Sequence, residues 1–264
     1  MRFLKLMLAY DGTEFVGWQI QPSQRTVQQT LQNALQKITG HATTVIASGR
    51  TDAGVHALGQ VVSIRTESAL SCDVLLQALN ANLPRDVAAL DLSEASDGFH
   101  AIRDARRKTY RYVIHDGQRP DVFSRAYCWR VPQRLDTPAM QQAASVLLGT
   151  HDFSSFESSG SERATSVRTI HQSSVTREEG RGGGGYLSGD RVVYEVTANG
   201  FLYNMVRAIV GTLVDVGRGA IIPGEVVEIL LAQDRKSGRM TAPSHGLFLV
   251  SVEYGSVGGA SVGL

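Results

Sequence analysis

The sequence predicts an α+β fold built from two ferredoxin-like halves, and three observations carry that expectation. From Arg2 to Leu92, strand-like and helix-like stretches alternate in the order β-α-β-β-α-β. A looser copy of the same order follows, and its opening strand again stops at an Asp-Gly pair. The length of 264 residues suits one large domain or two ordinary ones, each able to bury its own core.

In the first half, Arg2 to Tyr10 reads as a strand ended by Asp11-Gly12. Thr26 is placed to cap a helix whose apolar positions Val27, Leu31, Ala34, Leu35 and Ile38 recur at helical spacing up to Gly40. Strands are expected at Thr43–Ser48 and Gln60–Thr66, a helix near Asp73–Asn82 ahead of Pro84, and a strand at Val87–Leu92. In the second half, Thr109–His115 alternates like a strand and stops at Asp116-Gly117. A helix over Pro138–Leu148 ends at Gly149, and strands follow near Ser166–Thr176 and Arg191–Thr197. Leu202, Met205, Val206, Ile209, Val210, Leu213 and Val214 make one helical stripe, then Gly224–Ala232 a helix and Leu247–Tyr254 a last strand. The expected division is residues 1–104, residues 105–254 and a flexible tail at 255–264. Ser154–Ser161 and Gly180–Gly189 read as loops, and the second lacks the Lys-Ser/Thr ending of a phosphate-binding loop.

Composition narrows the class. Lys and Arg total 26 against 25 Asp and Glu, a net charge of +1, so a nucleic-acid partner has to be argued from local charge. Hydrophobic residues at 42% and charged residues at 19% describe a globular chain. No apolar run approaches the roughly 18–20 residues needed to span a bilayer, and Met1 leads into no signal-peptide pattern. Cys72 and Cys128 are too few for a disulfide framework or a cysteine-rich zinc site. A soluble, cytoplasmic protein without membrane contact is the expectation.

Two segments hold residues suited to chemistry. Ser48-Gly49-Arg50-Thr51-Asp52-Ala53-Gly54-Val55-His56 packs Arg, Asp and His between glycines. In an extended segment Arg50 and Asp52 leave the same face, and a neighbouring guanidinium keeps a carboxylate ionised, as a nucleophile or base requires. A plain ion pair bracing a glycine-rich turn fits equally well. Asp52 and His56 supply only two ligands for a metal, with no third nearby. The second segment, Arg103–Arg119, carries Arg103, Arg106, Arg107, Lys108, Arg111 and Arg119 against Asp104 and Asp116, a local charge of 6 − 2 = +4. Tyr110 and Tyr112 alternate with these cations, the combination that phosphates and unstacked bases require; an edge strand with a solvated basic face is the plainer reading.

Three weaker signals stand beside these. Tyr10, Phe15 and Trp18, with Gln19 and Gln21, read first as packing and second as an RNA surface. Arg207 interrupts the 202–214 stripe, by default as a snorkelling side chain, otherwise reaching for an acid or a phosphate. His151-Asp152 beside Ser154 and Ser155 is not a hydrolytic triad, because no nucleophile elbow surrounds the serines.

Taken together, the blocks resemble the tRNA pseudouridine synthase A family over nearly the whole chain. The matching residues are Tyr10-Asp11-Gly12 with Phe15 and Gly17-Trp18-Gln19, and the 48–61 segment. They continue through Phe99-His100-Ala101, Tyr110-Arg111-Tyr112, Gly149-Thr150-His151-Asp152-Phe153 and Arg168. Gly200-Phe201-Leu202, Met205-Val206-Arg207, Val210-Gly211, Ala242-Pro243 and Gly246-Leu247 close the set. Gly-Arg-Thr-Asp-Ala-Gly-Val-His-Ala, residues 49–57, is the most specific of these strings.

The resemblance implies a two-domain enzyme with antiparallel sheets flanking a basic cleft, usually a homodimer. Such an enzyme isomerises uridine to pseudouridine on the 3′ side of the tRNA anticodon stem-loop, typically at positions 38, 39 and 40, without metal or cofactor. It puts Asp52 on the catalytic aspartate, Arg50 on its partner and Tyr110 on the tyrosine that meets the target uracil. Arg168, Arg207 and Leu247 are expected to contact the substrate, and Arg103, Arg106, Arg107 and Lys108 the RNA. Ile102 stands after Phe-His-Ala where the family often has Arg, which puts one RNA contact in question. Three other readings stay open: a synthase acting on a different RNA, a catalytically silent RNA-binding module, and a metal-dependent nuclease. An Arg-paired carboxylate argues against the silent module, since a carboxylate without a task repels RNA. Indifference to EDTA would set the nuclease aside.

Overall fold

The computed structural model describes residues 1–158, 165–178 and 190–255. The expected Gly180–Gly189 loop, the end of the Ser154–Ser161 loop and the tail beyond residue 255 lie outside these described residues.

The first half contains β1 (Arg2–Tyr10), α1 (Val27–Thr39), β2 (Val45–Ala47), β3 (His56–Thr66), α2 (Cys72–Asn82) and β4 (Val87–Ala95). The second contains β5 (Ala105–His115), β6 (Trp129–Arg130), α3 (Thr137–Val146), β7 (Gly149–Asp152), β8 (Val167–Glu178) and β9 (Arg191–Ala198). It closes with α4 (Met205–Gly217), α5 (Glu225–Ala232) and β10 (Leu247–Tyr254).

Local chemistry explains the helix ends. The Thr26 hydroxyl accepts from the Gln29 amide at the start of α1, and Gly40 ends it in the left-handed region at φ 79°. Ser71 caps α2 and Asp136 caps α3 in the same way, each through a side-chain oxygen. The predicted apolar positions Val27, Leu31, Ala34 and Leu35 are the buried face of α1.

Among the described residues, ten strands form one sheet in the order β4-β1-β3-β10-β5-β9-β8-β7, with β2 added to β3 and β6 to β5. The expectation of separate sheets in the two halves is therefore corrected: the halves are joined edge to edge. The seam is the short parallel pairing of β3 with β10, Phe248 opposite His56 and Leu249 opposite Ala57. Parallel pairing needs no shared turn, so nothing in the local sequence announces it.

Three further departures have physical reasons. β3 begins at His56 rather than Gln60, because its first residues pair with the distant β10. α4 begins at Met205 rather than Leu202, because Asn204 sits in the left-handed region at φ 60° and sets the helix start. β7 was not expected; it is a short edge strand on β8, with His151 opposite Arg168. The Asp152 carboxylate there accepts from the Ser154 amide, a local turn rather than a triad. Strand β5 is central, flanked by β10 and β9, so its basic residues do not lie on a sheet edge.

The Asp116 turn carries a buried ion pair. Its side chain is fully buried and accepts two bonds from Arg177, at 2.9 and 2.8 Å, and one from the Leu135 amide at 2.9 Å. Burial raises the Asp116 carboxyl, but these donors outweigh it and hold the group below its ordinary value. A group depressed in the folded state adds stability above its unfolded pKa and loses it as pH falls through the folded one. Asp116→Ala strands the Arg177 cation and is expected to cost about 3 kcal/mol. The check is urea unfolding at pH 7 and pH 3, where the gap to wild type should narrow at the lower pH.

Candidate active site

The 48–55 segment is a loop tied down at almost every residue. The Ser48 amide donates to the Val61 carbonyl (2.7 Å), and its hydroxyl donates to Gln60 Oε1 (2.7 Å). Gln60 Nε2 donates in turn to the Gly49 carbonyl (2.9 Å). The Thr51 hydroxyl meets Tyr10 Oη at 2.8 Å, and its carbonyl accepts from the Trp18 amide at 3.0 Å. The Gly54 amide reaches the Phe15 carbonyl (3.2 Å) and the Val55 amide closes a turn on the Asp52 carbonyl (3.1 Å). Tyr10, Phe15 and Trp18 are thus buried packing that holds this loop, the first of their two readings. Gly12 completes the support by close approach: a Cβ there would lie 2.1 Å from the Val55 carbonyl oxygen.

His56 joins this loop to the second half. Its ring is buried and stacked on Phe248, centroids 4.7 Å apart. Nδ1 accepts from the Gly12 amide at 3.0 Å, which leaves Nε2 carrying the hydrogen toward the carbonyls of Ala126 (3.1 Å) and His245 (3.2 Å). Burial holds the imidazole below its ordinary pKa, in line with this neutral tautomer, although the nearby Asp11 pulls the other way. Both ring nitrogens are engaged with protein groups, so His56 is a structural joint.

The loop presents Asp52 at a position where about a third of its side chain meets solvent, and Arg207 Nη1 lies 3.6 Å from its Oδ2. Burial pushes the Asp52 carboxyl upward, and the Arg207 charge opposes this. The expected partner, Arg50, is exposed and makes no ion pair with any described residue. The cation that serves Asp52 comes from α4 in the other half, so Arg207 reaches for an acid rather than snorkelling. Its own position is fixed by Nε donating to the Ala242 carbonyl (2.7 Å) and Nη1 to Asn204 Oδ1 (2.8 Å).

Tyr110 lies on β5 beside this pair. Its ring is 8% exposed and meets Phe201 edge-on, centroids 5.1 Å apart. Burial drives its hydroxyl far above the phenol range, and the neighbouring Tyr10 and Asp52 add to the shift. Tyr112, on the same face of β5, is core: it is fully buried and donates to the Pro243 carbonyl at 2.7 Å. Asp52, Arg207 and Tyr110 therefore form one constellation across the β3–β10 seam, a half-buried carboxyl group with a guanidinium and an aromatic ring.

The family model described as tRNA pseudouridine synthase matches residues 6–102 and 143–255. The chain belongs to this family. The tRNA pseudouridine synthase A of Acetivibrio thermocellus is 45% identical over 255 residues, covering 96% of this chain and 100% of that protein. The protein of the same name from Moorella thermoacetica is 44% identical over 256 residues, with the same coverage.

The remaining predicted positions of the synthase fall at varied distances from the constellation. Leu247 is buried at the start of β10, opposite Tyr112. Arg168, on β8, donates to the Thr165 and Val167 carbonyls and lies against Gly200, next to the Phe201 that touches Tyr110. Lys108 donates to the Ser48 carbonyl and so anchors the Asp52 loop from β5. Arg103 pairs with Asp104 and donates to the Gly98 carbonyl at 2.8 Å. Arg106 and Arg107 are exposed on the opening residues of β5. Of the four cations proposed for RNA, the structure thus shows Lys108 bracing the loop and Arg103 bracing a turn.

Asn204 was missed. It stands between the quoted blocks Gly200-Phe201-Leu202 and Met205-Val206-Arg207, and nothing in its spacing marks it. Its signal is conformational, since asparagine is one of the few residues that takes a left-handed φ cheaply.

Proposed function

We propose that this synthase isomerises uridine to pseudouridine in the anticodon stem-loop of tRNA, at positions 38, 39 and 40, with Asp52 as its catalytic group. The observation that carries the proposal is the half-buried Asp52 carboxylate, fixed by a cross-braced loop, with Arg207 3.6 Å away and Tyr110 alongside. The reaction breaks N1–C1′, turns the base and joins C5 to C1′; the hydrogen on C5 leaves and N1 regains one. It needs no redox partner and no outside group. The target nucleotide is flipped out of its stack and laid against Tyr110, while Asp52 attacks the sugar or the base, or takes a ribose proton. Arg207 holds Asp52 charged, and Arg50, exposed on the same loop, is left to meet RNA or fill the space of the flipped base.

Two ferredoxin-like halves flanking a basic cleft belong to the same reading. The strand orders β4-β1-β3-β2 and β10-β5-β9-β8 support it, since both follow the 4-1-3-2 order of such a unit. The division at residues 104 and 105, a homodimeric assembly, action in the cytoplasm and independence of metal complete the proposal. Among the described residues, no helix is long and apolar enough to cross a membrane.

The test is release of tritium from tRNA labelled at uridine C5, with EDTA present. Release by wild type, and its loss when positions 38–40 are all cytidine, is the expected result. Tight, salt-sensitive binding without release would return the silent module; release unaffected by those cytidines would indicate another target.

Tyr110 gives a second check. Base stacking on an aromatic ring is worth about 1–3 kcal/mol, or roughly 5–150-fold. Tyr110→Phe keeps the ring and should stay within about tenfold of wild type in kcat/KM, whereas Tyr110→Leu should fall by the full stacking range. A severe loss in Tyr110→Phe would assign the chemistry to the hydroxyl instead.

A further inference from the structure

We infer that Asn204 is a positioning residue for the catalytic pair, holding the Arg207 guanidinium where it can serve Asp52; this rests on the assignment of Asp52 above. Three observations converge on it. First, Asn204 Oδ1 accepts from Arg207 Nη1 at 2.8 Å, and this is the same nitrogen that lies 3.6 Å from Asp52 Oδ2. The nitrogen is thus shared between a firm hydrogen bond and a looser ion pair, and the firm bond sets its place. Second, Asn204 is itself anchored at the far end of its amide, where Nδ2 donates to the Ser158 hydroxyl at 3.1 Å. Both ends of the side chain are used, which fixes the amide orientation. Third, its backbone is left-handed at φ 60°, ending the β9–α4 connection and starting the helix that carries Arg207. Few side chains accept that conformation and also offer an acceptor at this reach.

The remaining Arg207 contact cannot do this work alone. Nε donates to the Ala242 carbonyl, which fixes one edge of the guanidinium but leaves rotation of the fork about that bond. Asn204 removes the rotation. The charged and titratable groups facing the pair are few. Tyr110 reaches toward Asp52 from β5, with Tyr10 beyond it on β1, and Tyr112, also on β5, faces the Arg207 charge while its hydroxyl is engaged by the Pro243 carbonyl. His245 lies near Arg207, and burial first, with the Arg207 charge beside it, keeps its imidazole below the ordinary value. Arg50 belongs to the Asp52 loop and is exposed. None of these supplies a replacement cation fixed against Asp52 among the described residues.

The consequence is directional. If Arg207 swings away, burial raises Asp52 unopposed, the carboxylate stays protonated to higher pH, and the acid limb of the rate profile moves upward. Asn204→Gly retains the left-handed backbone while removing the acceptor. Asn204→Asp keeps an acceptor of the same shape but adds a carboxylate that divides Arg207 with Asp52.

Single-turnover tritium release from labelled tRNA would be followed from pH 5 to 9 for both variants, with tRNA Kd measured alongside and Asp52→Asn run in parallel. The expected result is a rate 10–100-fold lower in Asn204→Gly with its acid limb displaced upward, Kd unchanged within about threefold. Asn204→Asp should recover at least tenfold of that loss at high pH while its acid limb is displaced as well. Acid limbs coinciding with wild type in either variant would overturn the inference, as would equal impairment of the two at high pH, which would assign Asn204 to packing alone. If Asn204→Gly does not fold, the limb and high-pH rate of Asn204→Asp decide the matter. Release retained in Asp52→Asn would instead overturn the site assignment itself, so the two failures are told apart.

Discussion

Asp52→Asn should abolish tritium release, by at least about 10⁴-fold in single-turnover rate, while tRNA binding stays within about threefold. The amide is nearly the shape of the carboxylate, so the loop has no reason to move. What disappears is the negative charge, and every role open to Asp52 needs it: an amide neither attacks carbon nor takes a ribose proton at useful rates. Binding should hold or improve slightly, since the substrate is a polyanion and one repelling charge is gone. Arg207 remains held by Asn204 and Ala242, so the variant does not leave a mobile cation in the site. Circular dichroism and a filter-binding titration on the same preparation separate a dead enzyme from an unfolded one. Turnover within tenfold of wild type would transfer the chemistry to another group, with the Tyr110 hydroxyl the first to examine.

The site was legible in the sequence where its chemistry is local and obscure where it is assembled by topology. Asp52 stood out as a candidate because glycines, arginine and a carboxylate crowd one short segment, and Tyr110 because it alternates with cations; their expected roles came from the family resemblance. The helix ends at Thr26 and Gly40 and the full length of β1 were readable for the same reason, since each is decided within a few residues. The partner of Asp52 was not. Arg50 is two residues away in sequence, but Arg207 is brought to it by α4, whose place follows from the β3–β10 seam. That seam is a pairing of two residues with two others across nearly two hundred positions, and no periodicity encodes it. The single continuous sheet was missed for the same cause. A residue such as Arg207, charged within an apolar helical stripe, was itself the visible trace of a distant acid.

The architecture explains why the proposed catalytic pair is divided between the halves. The Asp52 loop is fixed to β1 and β3 through Thr51, Ser48 and Gln60, all in the first half. Arg207 is fixed through Asn204 and Ala242, both in the second. His56 crosses between them, taking a hydrogen bond from Gly12 on one side and giving its own to Ala126 and His245 on the other. Lys108 crosses in the reverse direction, from β5 to the Ser48 carbonyl. The 3.6 Å separation of Asp52 and Arg207 is therefore set by contacts on both sides of the seam. A shift of one half relative to the other therefore changes that separation directly.

Gly12→Ala tests that sensitivity directly, and it should lower the rate by about 10²–10³-fold. A Cβ at Gly12 would stand 2.1 Å from the Val55 carbonyl oxygen and 3.0 Å from the Val55 amide nitrogen, both backbone atoms that no rotamer change can clear. Either the β1 turn or the 52–55 turn has to move. The first would break the Gly12 amide bond to His56 Nδ1, the second the Val55 bond that closes on the Asp52 carbonyl. Both routes displace Asp52 from Arg207 while leaving the strands on either side paired. Gly40→Ala is the contrast. It also burdens a backbone that favours glycine, at φ 79°, but nothing lies within 4 Å of the added methyl. Its cost should be confined to about 1 kcal/mol of stability from the left-handed conformation, with the rate unchanged. Thermal melts and single-turnover release on the two variants would show whether the losses separate in this way. Equal rates in Gly12→Ala and wild type would mean that the loop absorbs the displacement and that its cross-bracing does not govern the position of Asp52.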